Sequence, residues 1–324
     1  MKQIISLTII IAWLLPACNT KAETKTANEE PADSVQVKLI YLGTAGWEIT
    51  DGKTVILVDP YLSRIRRNYS ENSIDSTILG DTRVPVGKND FAVSDTIAIN
   101  KLVKQADYIL VHHSHWDHIM DVPFIARKTG ATVIGHETTA TIMRAYGIAD
   151  EKIITVKGGE DYEFENFSVK IIPGLHSPLN EKRYYDSRII SKEIKAPLRI
   201  NDFAEGGSLA FLIRFRGYEI LTFGSMNYIE KELEGLHPDV VIAGAAPSRN
   251  EIYDYAGRLM KTLNYPATVI PTHWDNYTLP YSASQDERVQ QLESFQKEIK
   301  KTSPGSKFII PVYFEPITLC QHKL

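Results

Sequence analysis

Hydrophobic and polar positions set the first outline of this chain. Val35–Tyr41 (VQVKLIY) alternates apolar and polar residues and is rich in β-branched side chains, the mark of a half-buried strand. Trp47–Thr50 and Thr54–Val58 read as a hairpin around Asp51-Gly52, a strong turn signal. Residues 61–95 are polar and irregular, an insertion long enough to be a lid or a binding loop. Thr96–Gln105 reads as a helix, Tyr108–Val111 as a buried strand, Val122–Thr129 as a helix and Ala131–Gly135 as a strand. Glu137–Tyr146 then reads as a helix and Lys152–Val156 as a strand. From Asp161 the pattern changes to hairpin-like strands at Tyr162–Phe167, Ser168–Pro173, Ser208–Phe215 and Tyr218–Phe223, with a second long insertion over 177–207. Asp239–Ala243 is a buried strand, Ile252–Leu263 a helix, Thr268–Pro271 a strand, and Gln285–Lys301 an amphipathic helix with Val289, Leu292 and Phe295 on its apolar face. Phe308–Phe314 is the last expected strand. Two sheets, each covered by helices on its outer side, accommodate this order, so the fold class is α/β.

The beginning of the chain has a different character. Lys2 precedes the apolar run Ile4–Leu15, which is too short to span a bilayer and has the length of a secretory apolar core. The run ends in Leu15-Pro16-Ala17-Cys18, which resembles the bacterial lipobox. That resemblance implies cleavage before Cys18 and a lipid on its sulfur. Residues 19–34 are polar and lack aliphatic and aromatic bulk, so they read as a tether. The expected organisation is a lipoprotein signal peptide at 1–17, a lipidated Cys18 and tether over 18–34, and a single domain over 35–324. The protein is then held at a bacterial membrane outside the cytoplasm, in the periplasm or at the cell surface, without spanning it.

Composition adds exclusions. Hydrophobic content of 43% and charged content of 23% are ordinary for a globular domain. A net charge of −4 argues against non-specific nucleic-acid binding, which needs a basic surface. With Cys18 acylated, Cys320 is the only other cysteine, so no disulfide framework forms within one chain. The sequence sets no oligomeric state.

The chemistry is concentrated in Ala106–Asp121, ADYILVHHSHWDHIMD. Alternate residues of an extended chain face the same way, so His113 and His115 can share one cation. Asp117 and His118 follow where the chain turns into a helix and can reach a second. Neutral imidazole and carboxylate are the ligands that Zn²⁺ and its first-row neighbours take. Two further histidines, His176 and His273, follow strand ends, and Asp59 closes the first hairpin. His112 alternates away from His113. His136 lies at a strand end, with lining the pocket as the alternative to a favoured surface role, and His237 and His322 have no partner in the sequence.

The segments YLGTAGWEIT, VILVDP, HSHWDHIMD, FGSMNY and PTHWDNY, in that order, resemble the metallo-β-lactamase superfamily over nearly all of 35–320. Within it they look like the branch of ascorbate-6-phosphate lactonase and N-acyl phosphatidylethanolamine phospholipase D. The resemblance implies a four-layer αβ/βα sandwich of two mixed sheets with metals at one edge. By motif, His113, His115 and His176 would hold one metal, and Asp117, His118 and His273 the other. Asp59 would orient a ligand from behind. The sequence departs from the family at Ser225, which stands where an aspartate normally bridges both metals, so one Zn²⁺ or two are expected, with Mn²⁺ or Fe as alternatives.

These residues imply a metal-dependent hydrolase in which metal-activated water attacks an ester, lactone, amide or phosphodiester of a small molecule, with Asp117 positioning the nucleophile or acting as a base. Arg64, Arg66 and Arg67, with Lys182, Arg183, Arg188, Lys192, Lys195 and Arg199 of the second insertion, would favour an anionic substrate. Glu181, Asp186, Glu193 and Asp202 dilute that charge as solvated loops do. Tyr184, Tyr185 and Tyr228 are candidates to line the pocket. The alternatives are a non-catalytic ligand-binding surface lipoprotein with a degenerate metal site and, ranked last, a redox diiron protein of the same superfamily.

Overall fold

In a computed structural model the described residues are 36–67, 81–179 and 181–319. The signal segment, Cys18, the tether, Cys320 and His322 lie outside them, as do residues 68–80 of the first insertion.

The first half of the domain builds a seven-stranded sheet. Its strands are β1 (Val37–Gly43), β2 (Gly46–Thr50), β3 (Val55–Val58), β4 (Tyr108–Leu110), β5 (Thr132–Gly135) and β6 (Ile153–Thr155), and its helices are α1 (Thr96–Leu102), α2 (Trp116–Ile119), α3 (Val122–Thr129) and α4 (Glu137–Ala145). The second half builds another sheet from β7 (Asp161–Glu163), β8 (Phe167–Gly174), β9 (Ser208–Phe215), β10 (Tyr218–Phe223), β11 (Val240–Gly244), β12 (Thr268–Thr272) and β13 (Lys307–Phe308), with helices α5 (Glu230–Leu233), α6 (Tyr255–Thr262) and α7 (Asp286–Thr302). The final strand, β14 (Pro316–Leu319), returns to the first sheet and pairs with β1.

Strand order is β14-β1-β2-β3-β4-β5-β6 in one sheet and β13-β12-β11-β10-β9-β8-β7 in the other. Both are mixed. In the first, β14-β1-β2-β3 are antiparallel and β3-β4-β5-β6 parallel. In the second, β10-β11-β12-β13 are parallel and β7-β8-β9-β10 antiparallel. The parallel strands are apolar on both faces, as strands sandwiched between layers must be. Ile56, Val58, Leu110 and Ile134 face a core shared with Val169, Phe211, Ile220 and Val241 of the other sheet. The alternating Leu57, Ile109 and Val133 face Ile99, Ile125 and Ile142 of α1, α3 and α4. Burying each such aliphatic side chain contributes roughly 1.5–3 kcal/mol. This is the expected αβ/βα layering.

Two expected elements differ. Phe308–Phe314 is not one strand, because Pro311 cannot donate to a ladder and the chain leaves the second sheet after Phe308. It crosses to the first sheet, where Tyr313 bridges Tyr41 and the Phe314 N–H donates to the Tyr41 carbonyl at 3.0 Å. The helix expected from Ile252 starts at Tyr255, since Pro247–Glu251 form a 3-10 turn and Asp254 is left-handed at φ 41°.

Candidate metal centre

Every residue singled out for metal chemistry lies just past the end of a strand, where the sandwich's ladders stop and side chains can converge. Beyond β4, the His112 N–H donates to Asp59 Oδ1 at 2.8 Å and the Ser114 N–H to the Glu205 carbonyl at 2.8 Å. The chain stays extended there, so His112 and Ser114 point into the protein while His113 and His115 share the other side. α2 begins at Trp116 and carries Asp117 and His118 in its single turn. His176 follows β8, and His273 follows β12 with φ of 52°. That left-handed residue is pinned: its N–H donates to the Thr44 carbonyl at 2.6 Å, and Thr272 Oγ1 donates to the same carbonyl at 3.1 Å.

The structure brings the predicted ligands together as two adjoining groups. His113, His115 and His176 form one, and Asp117, His118 and His273 the other, with the ligand atoms of each within 4.8 Å of one another. The His113 and His118 rings are 3.8 Å apart between centroids, so the groups touch. Outward-facing ring nitrogens are already engaged. His118 Nδ1 lies 2.6 Å from Asp59 Oδ2, His176 Nδ1 donates to the Ser177 carbonyl at 2.8 Å, and His115 bonds to the Asp186 backbone. The inward-facing nitrogens are not. Both ring nitrogens of His113 and Nε2 of His115 and His118 are buried without a hydrogen-bond partner. Each such orphan costs about 1–3 kcal/mol, and buried polar atoms are seldom left so. Converging imidazole nitrogens with free lone pairs are what a transition-metal cation needs, so these residues fit a bound metal.

Electrostatics point the same way. Burial, reinforced by neighbouring imidazoles, holds His113 far below the usual histidine range and brings His176 down to about 3. Both are neutral, the ligating form. Burial likewise lowers His115. Burial would lower His118 too, but Asp59 and Asp117 outweigh it and raise the ring. Burial disfavours the Asp117 carboxylate, yet His118 and His273 draw it well below the ordinary range. Asp59 is fully buried, and against that burial His112 and His118 bring it to about 2.

Asp59 therefore stands behind His118. His112 points away from the ligands, bonding Asp59 through Nδ1 at 2.7 Å and Thr222 Oγ1 through Nε2 at 2.9 Å. Gly224 is required beside it, since a Cβ there would lie 2.4 Å from His112 Cβ. Ser225 is buried, and its Oγ accepts the Ser177 N–H at 2.9 Å. No carboxylate from that position joins either group. His136 is half-buried opposite Gly207 and His237 is exposed.

A cavity of about 750 Å³ opens beside the two groups, lined by His115, Asp117, His176 and His273, by apolar Trp116, Met226 and Tyr277, and by Tyr185. Tyr184 does not line it, and Tyr228 is buried with its hydroxyl donated to the Tyr255 carbonyl at 2.9 Å. The basic residues need correction. Arg64 is fully buried against Asp275 at 2.6 Å rather than presented to a substrate. In the second insertion Arg188 pairs with Asp186 and Lys182 with Glu251 outside it, and none of the insertion's six basic residues lines the cavity. The cavity's cations are Arg67 and Arg288.

Sequence reading passed over Asp275 and Asp121, although both stand inside quoted motifs. Asp275 accepts from Arg64, the Thr44 N–H and the Tyr41 and Tyr313 hydroxyls. Asp121 accepts the Leu62 and Ser63 N–H groups and the Ser63 hydroxyl. Nor did it find Arg288 or the 247–251 turn, which carry no local signature.

Comparison with known proteins agrees with this geometry. The β-lactamase superfamily domain profile matches residues 38–273. A metal-dependent hydrolase of Staphylococcus aureus (strain JH9) is 28% identical over 177 residues, covering 54% of this chain and 71% of that one. Among solved structures, a metallo hydrolase from the archaeon Ignicoccus hospitalis superposes with a TM-score of 0.54 at 17% identity, covering 88% of this chain and 99% of that one. The diiron β-hydroxylase CmlA of Streptomyces venezuelae also gives 0.54, at 16% identity, covering 90% of this chain and 55% of that one. At such identities the superpositions speak to the fold alone. The fold, the His and Asp metal-binding groups and the profile over most of the chain agree: this chain belongs to the metallo-β-lactamase superfamily and is a metal-dependent hydrolase.

Proposed function

We propose that the protein hydrolyses an ester, lactone, amide or phosphodiester bond of a small anionic molecule, using His113, His115 and His176 for one cation and Asp117, His118 and His273 for a second. The observation that carries this reading is the convergence of buried, unpartnered imidazole nitrogens of His113, His115 and His118 beside a cavity lined by His115, Asp117, His176 and His273. When bound, the cation supplies Lewis acidity that activates water and polarises the bond to be cleaved. The chain's own residues do the rest. Asp117, a carboxylate in both the ligand set and the cavity wall, orients the attacking water or takes its proton. Asp59 holds the His118 ring so that its Nε2 faces inward. Trp116, Met226 and Tyr277 exclude solvent from one side of the substrate, and Arg67 and Arg288 favour an anionic group on it.

Zinc suits the three-histidine group, one or two ions being bound according to how far the second group manages without a bridging carboxylate at Ser225. Manganese and iron are the alternatives, and the CmlA likeness keeps a diiron occupant among the outcomes. The motif likeness to the lactonase and phospholipase D branch favours phosphate- or lactone-bearing substrates. Cys18, through its lipobox-like context, would anchor the protein outside the cytoplasm of a bacterial cell. Mass spectrometry of the mature N-terminus tests this, and an unmodified, uncleaved Cys18 contradicts it.

The test of function is a reporter panel of phosphodiesters, lactones, esters and amides, run on chelator-stripped protein and on protein restored with zinc, manganese or iron. Turnover of at least one class should disappear on stripping and return with metal. Turnover that survives stripping unchanged, or no turnover with any metal, overturns the reading.

A further inference from the structure

The turn after β10 reads Gly224-Ser225-Met226-Asn227, and two of its side chains close on a single peptide group. That peptide joins His176 to Ser177. Its N–H, on Ser177, donates to Ser225 Oγ at 2.9 Å. Its carbonyl, on His176, accepts from Asn227 Nδ2 at 3.3 Å. Asn227 is itself oriented, because its Oδ1 accepts the Tyr228 N–H at 3.0 Å and so directs the amide nitrogen towards His176. The end of β8 is also tied to the residue just after the turn, by a bridge between Gly174 and Tyr228.

What the grip fixes is a ligand. His176 Nδ1 donates to the carbonyl of the same Ser177, which commits the other ring nitrogen to the side facing His113 and His115. Holding the 176–177 peptide fixes ψ of His176 and φ of Ser177, the torsions that set the Ser177 carbonyl against the His176 ring. Ser177 has no exposed surface and Ser225 is 5% exposed, so water does not offer substitute partners. The Ser225 and Ser248 hydroxyls also lie 3.3 and 3.1 Å from Ser177 Oγ, closing the pocket around the loop.

We infer that Ser225 and Asn227 form a clamp on the His176–Ser177 peptide that sets the position of His176, so that the residue standing where the family carries a bridging carboxylate serves the three-histidine group as a positioning residue. The inference rests on the metal-binding reading above. Groups that orient a ligand from behind change metal affinity by about 10–100-fold when removed. Ser225→Ala leaves the Ser177 N–H without an acceptor, and Asn227→Ala frees the His176 carbonyl. Both act on one peptide, so their effects should be non-additive.

The experiment is zinc affinity of the full chain by competition with a chromophoric chelator, with thermal unfolding of the metal-free proteins as the control for folding. Ser225→Ala and Asn227→Ala should each weaken the tighter zinc site by about 10-fold or more. The double variant should lose less than the product of the two, and Ser225→Thr, which keeps the hydroxyl, should restore affinity towards the parent. Metal-free stability should fall by no more than the roughly 1–3 kcal/mol that one unpaired buried N–H costs, and Ser225→Thr should restore it together with the affinity. Parent-like zinc affinity in Ser225→Ala and Asn227→Ala overturns the clamp while leaving the metal reading intact. So does an affinity loss that tracks a lowered metal-free midpoint and is not rescued by threonine. A parent that binds none of zinc, manganese or iron overturns both.

Discussion

The two ligand groups sit side by side but are held by different forces. His115 and His176 are oriented by main-chain carbonyls, those of Asp186 and Ser177, and the rings around them are driven neutral by burial. His118 and His273 depend on buried charge. Asp59 holds His118 directly, while Asp275, two residues past His273, is tied to Arg64 at 2.6 Å. Arg64 also donates to the Leu279 and Asn276 carbonyls at 2.6 and 2.7 Å, fastening the loop that follows His273. A geometry held through neighbouring backbone leaves no buried charge unpaired when one side chain changes, so the Ser225 and Asn227 variants should cost metal affinity more than fold stability. One built from buried ions fails sharply when a partner is removed, because the remaining charge is left unpaired.

That contrast can be broken at its strongest point. Arg64→Met leaves Asp275 buried with only the Thr44 N–H and two tyrosine hydroxyls. Stability should fall by about 3–5 kcal/mol in denaturant unfolding. Metal loss at native conditions should be confined to the Asp117, His118 and His273 group, and equal loss from both groups would erase the distinction. Asp59→Asn is the smaller change. It keeps one accepting oxygen for the two rings but removes the charge and turns an NH2 towards the His112 N–H, and the weaker metal equivalent should bind about 10–100-fold less tightly while the tighter one is unchanged. Isothermal titration of zinc into stripped protein separates the two.

The same contrast explains what the sequence made legible. His113, His115, Asp117 and His118 fall within six positions, so extended-chain alternation followed by a helical turn is enough to see them as ligands. His176 and His273 became visible because each follows an apolar run that reads as a strand. Asp59 was visible because Asp-Pro ends a hairpin. Arg64 and Asp275 are 211 positions apart, and nothing local distinguishes an arginine that will be fully buried from one in solvent. The clamp was hidden for a related reason. Ser225 reads as the loss of a carboxylate, and its bond to Ser177, 48 positions away, is a property of the folded chain. The basic residues of 177–207 behave as that loop's mixed charge predicts, Arg188 pairing with Asp186 of the same loop, while the pair of Lys182 with Glu251 is a property of the folded chain. The last strand was misplaced because a single apolar run crosses from one sheet to the other.

The central claim is that His113, His115 and His176 hold a metal ion. Elemental analysis of the purified full chain, beside His115→Ala prepared in parallel, tests it most directly. The account predicts at least one equivalent of zinc, manganese or iron in the parent, and one equivalent fewer in the variant, whose remaining group lacks a ligand. A parent free of first-row metals even after reconstitution, or a variant that retains the parent's content, would contradict it.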